Sequence, residues 1–210
     1  MSAAMEARWT ERWRSLRPEW DPRPAWRQLQ SAYTEPHRHY HNLTHLQECL
    51  AEFDSARHLV HDPAAVELAL WFHDFCYDTR TGDNEERSAL AAEETLSTAD
   101  LPGPMREQIR RLILDTKHQS PPASPDGELL VDVDLSILGR PRPRFEEYEH
   151  QIRREYSWVP AVVFAFKRRG ILKGFLKRPT LYRTEFFRER YEAQAKANLK
   201  WSVKLLKRGA

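Results

Sequence analysis

Residues 37–45 read HRHYHNLTH and hold four of the chain's nine histidines. Imidazole titrates near neutral pH and is the commonest transition-metal ligand, so its spacing decides what such a tract can do. His41 and His45 stand at i and i+4 and would share a helix face; His37 and His39 precede them and read as loop or surface positions. A second stretch, WFHDFCYD (71–78), puts a carboxylate beside an imidazole in an apolar run. Burying that charge is costly without a partner. On a helix, Leu70, His73, Asp74 and Tyr77 would line one face. A third stretch, VDVDLSILG (131–139), again sets acids among apolar residues. Asp132 and Asp134 would point to opposite sides of an extended segment and lie roughly 200° apart on a helix, so spacing alone leaves open which one faces a site.

An isolated His-Asp pair reads first as a hydrogen-bonded helix end. Three such segments together point to one divalent cation. Imidazole with carboxylate suits manganese, iron, zinc, cobalt or nickel better than calcium, and magnesium is the harder option. One ion is expected, and a second can be bridged by Asp74, whose carboxylate has two oxygens. No strong serine or cysteine nucleophile stands out. The two cysteines, Cys49 and Cys76, lie in apolar runs and read as thiols of a reducing, cytoplasmic compartment.

The elements that position these residues read as helices. Glycine is scarce and β-branched alternation nearly absent. Helices are expected over 5–16, 24–33 and 42–60. Asp62-Pro63 then opens one running through AAVELALWFHDFCYD, as N-cap and first-turn proline. Asp83 and Glu86 have capping-box spacing for a helix over 84–97. Another helix follows Pro104, QSPPASPDGE is a loop, and VDVDLSILG is a short buried element. Helices over 144–157, 161–177 and 182–206 complete an all-α domain of about eight to ten helices. The chain, 1–210, reads as one domain: N-terminal helices (1–33), a metal-site core (34–140) and basic C-terminal helices (141–210). A net charge of +2 names no partner, and no apolar run is long enough to span a membrane.

The order His45, His73-Asp74, Asp134 resembles the ligand series of the HD-domain metal-dependent phosphohydrolases. YHNLTH (40–45) is similar to the YHNxxH segment of cyclic-nucleotide phosphodiesterases within that superfamily, and DLSIL (134–138) to their DLSxI segment. The chain from about 20 to 200 also resembles bacterial HD phosphohydrolases of its size, through LALWFHDFCYD, NEERSA, DVDLSILG and IRREY. The resemblance implies a helical HD bundle with His45, His73, Asp74 and Asp134 as metal ligands. It implies hydrolysis of a phosphate ester, of a nucleotide above all, by metal-activated water, with His41 as proton donor.

Glu85 is a candidate base or hydrogen-bond acceptor near the attacking water; Glu86 reads as the capping acid. Lys117 and His118 are site candidates, because some HD enzymes bind a second metal through histidines in this interval. Arg153 and Lys173 are the candidate phosphate contacts among the basic C-terminal residues. The sequence departs from alarmone hydrolases, whose HDxxED pattern has Glu where Tyr77 stands. The alternative is an HD-scaffold protein that binds nucleotide or nucleic acid without turnover. A small-molecule phosphate ester is the expected partner, with nucleic acid less favoured and no membrane; the sequence does not fix an oligomeric state.

Overall fold

Residues 2–208, the side chain of Arg208 excepted, are described by a computed structural model. Among them the regular structure is helical, as the composition dictates: α1 (Ser2–Leu16), α2 (Arg23–Tyr33), α3 (Leu43–Ala56), α4 (Pro63–Phe72), α5 (Asn84–Thr98), α6 (Gly103–Asp115), α7 (Pro125–Asp134), α8 (Arg142–Glu155), α9 (Ala161–Lys177) and α10 (Glu185–Arg208). Two 3₁₀ turns, Arg57–Leu59 and Leu135–Gly139, extend α3 and α7. The chain divides into two compact units, up to Val131 and from Asp132 on, the division falling within α7.

In the first unit α4 is the central rod. Asp62 caps it, its side chain accepting from the amides of Ala64 and Ala65, and Pro63 follows in the first turn. Every residue from Ala65 to Phe72 is buried, so this helix is apolar all round and must be surrounded. It packs against α3, α5 and α6. The indole of Trp9 lies edge-on to Trp13, Trp71 and Phe72, with centroids 5.4–5.9 Å apart. Its Nε1 donates to Pro22 O, so the buried N–H is satisfied. Glu67 is the one charge inside α4, at 1% exposure. Arg8, Arg12 and Arg57 converge on it, which is the condition for burying such a group.

In the second unit α10 packs along α9 and on the 3₁₀ turn at 135–139. Gly139 is obligatory there: a Cβ would stand 2.4 Å from Cβ of Tyr191. Buried Asn198 donates to the carbonyls of Leu138 and Arg140, and Arg168 joins α9 to α8 through Glu149 and Tyr148.

Several boundaries differ from the sequence reading. The helix expected through Asp78 stops at Phe72, so His73 to Tyr77 form a turn. Helix α7 begins at Pro125, inside the expected loop, because proline fits a helix's first turn and Asp126 and Glu128 suit its positive end. Asp83 makes no side-chain cap, so the expected capping box does not form.

Candidate metal centre

The site of the first unit is built from two chain reversals. Tyr40 to Asn42 turn into α3, and Asn42 explains the turn. Its Oδ1 accepts from Thr44 N at 2.8 Å, and its Nδ2 donates to His39 O at 3.0 Å. The helix therefore starts at Leu43, and His41 lies before the cap rather than on the helix. His41 still reaches His45, with ring centroids 5.7 Å apart. The second reversal follows α4, where His73 is the last residue with helical torsions.

Arg38 ties the reversals together. Its buried guanidinium donates to Asp74 O (2.5 Å), Phe75 O (2.7 Å), His41 O (3.3 Å) and the Glu35 carboxylate (2.8 Å). Tyr33 adds a second tie: its hydroxyl donates to Trp71 O and accepts from Asp74 N. Burial pushes that hydroxyl's pKa up to about 12, so it stays a neutral donor.

Three donor atoms converge at this junction. His45 Nε2 and His73 Nε2 are 3.2 Å apart, and Asp74 Oδ2 lies 3.3 Å from the first and 3.0 Å from the second. His73 Nδ1 is 2.8 Å from Leu70 O. A carbonyl only accepts, so Nδ1 carries the proton and Nε2 presents a lone pair. Asp74 Oδ2 is buried and makes no aligned hydrogen bond, despite two imidazoles within reach. Ligand distances of about 2.0–2.2 Å place donor atoms roughly 2.9–3.6 Å apart around one ion, and the three observed separations fall in that range. Cys49 is buried one turn after His45, its Sγ 3.7 Å from both ring nitrogens. The ligand atoms of His45, Cys49 and His73 all lie within 4.8 Å of one another, a buried group that could hold a metal ion.

Electrostatics agree with that chemistry. Burial would raise the Asp74 carboxyl, but His73, His41 and His45 outweigh it and hold the group well below the usual range. Asp74 is therefore a carboxylate, as a cation requires. Tyr40 packs on His45 (4.6 Å between centroids), and Tyr77 stacks on His41 (4.2 Å). His37 is exposed, its Nε2 3.0 Å from Tyr77 O.

Glu85 sits half-buried on the first turn of α5. Burial first, and the charge of Asp74 after it, push its carboxyl up. Glu86 pairs with Lys117 across α5 and the end of α6, the partner it has in place of a capping box. His118 follows with φ at 56°, the left-handed position that ends the α6 segment.

In the second unit, Asp132 and Asp134 part company. Asp132 is fully buried and accepts from Arg183 N, Thr184 N and Thr184 Oγ1, fixing the entry to α10. Asp134 is half-buried as the last residue of α7. Arg153 donates to Tyr156 O and Val159 O and lies 4.8 Å over the Phe164 ring, so its guanidinium holds the turn from α8 to α9 rather than standing open for phosphate. Lys173 is exposed on α9.

Sequence reasoning passed over Cys49, Arg38 and Glu67. Cys49 was detectable, standing at i+4 from His45. The role of Arg38 was not, since its partners are backbone carbonyls that any residue would supply. No protein-family model, curated protein or solved structure matches the chain.

Proposed function

We propose that the chain is a metal-dependent phosphohydrolase of the HD type, acting on a phosphate ester and most readily on a nucleotide. The observation that carries the reading is the convergence of His45 Nε2, His73 Nε2 and Asp74 Oδ2, with the carboxylate oxygen buried and lacking an aligned hydrogen bond. These residues would hold the ion. Asp134 enters the ligand set through its DLSxI resemblance. A divalent ion at such a site supplies Lewis acidity and an activated water near neutral pH.

The rest falls to the chain's own side chains. Hydrolysis forms a P–O bond from water, breaks the ester P–O bond and leaves an alkoxide that needs a proton. His41, whose ring is stacked on Tyr77 beside His45, delivers that proton. It returns to the cationic form by taking up the proton lost by water. Glu85, its carboxyl raised by burial and by Asp74, would accept a hydrogen bond from the water.

The test is release of nitrophenol from mono- and bis-nitrophenyl phosphate, with a nucleotide panel, by protein loaded with manganese, zinc or nickel. Metal-stimulated turnover of at least one substrate is expected. Loaded protein that binds its metal and turns over none of them would leave the binding-protein alternative as the better account.

A further inference from the structure

Outside the metal centre, one surface of the second unit has the chemistry of a ligand site. Helix α9 packs inward through Ala165, Leu172 and the largely buried Arg168. Its outer face carries exposed apolar side chains: Phe166 is 70% exposed, Val162 63% and Val163 43%. Val162, Phe166, Arg169, Lys173 and Lys177 follow one another at helical spacing, so a single stripe runs from apolar to basic. Gly170 and Gly174 leave this face open, since a Cβ at either would meet nothing within 4 Å. No acidic residue occurs between Glu155 and Glu185, an interval that holds seven Lys and Arg residues.

We infer that α9 is a docking surface for an anionic lipid bilayer. A helix lying in the interface inserts its apolar side chains at the headgroup boundary while lysines reach the lipid phosphates, and α9 offers both on one face. Two other occupants fit less well. A second copy of this chain, related by a two-fold axis, would bring the cations of both copies into one interface with no acid on the face to meet them. A nucleic acid would use the charges, but Val162 and Val163 have no ring on which a base can stack. No helix among the described residues is long and apolar enough to cross a bilayer, and adsorption needs none. The inference is independent of the metal centre.

The full chain is mixed with vesicles of phosphatidylcholine alone or with about 30% phosphatidylserine, and sedimented. Binding to the anionic vesicles only is expected, lost at about 0.5 M salt. Phe166→Glu should lower it by at least about tenfold, and so should Lys173→Glu combined with Lys177→Glu, with unchanged circular dichroism because all three side chains are exposed. Failure to sediment with anionic vesicles, equal binding to neutral ones, or binding that Phe166→Glu leaves intact would overturn the inference. So would a Phe166-sensitive dimer, or oligonucleotide binding, in a protein that ignores the vesicles.

Discussion

Two histidines four residues apart have different surroundings because a helix cap lies between them. His45 is in the first turn of α3, buried and facing His73; His41 precedes the Asn42 cap, half-exposed and stacked on Tyr77. A metal ligand must be buried and aimed, whereas a proton donor must meet the substrate. His41→Ala should therefore keep the metal and lose about 10²–10⁴-fold in turnover, read by metal analysis beside steady-state rates. Loss of the ion with the rate would make His41 a ligand and remove the donor from the mechanism. The pairing of His45 with His73-Asp74 was legible in the residues' types and order. The place of His41 was not fully so, because spacing alone continued the helix back through Asn42, whereas that side chain ends it.

At the scale of elements, the donor set depends on how the entry to α3 is held against the exit from α4. The sequence marks both elements through hydrophobic spacing and the Asp62-Pro63 start, but not the joint, since α4 stops at Phe72 with no glycine or proline there. What stops it is tertiary: Arg38 takes the carbonyls of Asp74 and Phe75, and Tyr33 takes the amide of Asp74. Removing one guanidinium would leave several buried acceptors unpaired, at about 1–3 kcal/mol each before relaxation. Arg38→Met should thus lower stability by about 3 kcal/mol and metal affinity by roughly tenfold or more. Chemical denaturation and a metal titration check both, and affinity unchanged in a folded variant would mean the joint does not position the ligands. Asp132 and Asp134 teach a related lesson: two residues apart in one motif, one fixes the start of α10 and the other remains at a helix end.

At the scale of the molecule, the all-α class followed from scarce glycine and nearly absent strand periodicity, while the partners of buried Glu67 did not show in the sequence. Glu67 lies in an apolar run, and two of its three arginines, Arg8 and Arg12, come from the distant α1, the third, Arg57, from the 3₁₀ turn before α4. Burial would raise its carboxyl, but Arg8 first and then Arg12 and Arg57 bring it below the ordinary value. A carboxyl lowered in the folded state stabilises fully above its unfolded pKa of about 4.3, and that contribution is lost as pH falls through the lower folded value. Glu67→Gln should cost about 3 kcal/mol at neutral pH, and the wild-type and variant unfolding midpoints should converge as pH falls below about 4. A constant difference from neutral to acid pH would show that the carboxylate's charge is not what holds α1 to α4.

The central claim is that His45, His73 and Asp74 form a metal centre, and metal content tests it most directly. Elemental analysis of the purified protein and of Asp74→Ala, each verified as folded by circular dichroism, gives the answer. The account predicts about one equivalent of manganese, iron, cobalt, nickel or zinc in the wild type and almost none in the variant. A folded wild type that takes up no divalent ion even when supplied with it, or an Asp74→Ala protein that keeps its full complement, would contradict it.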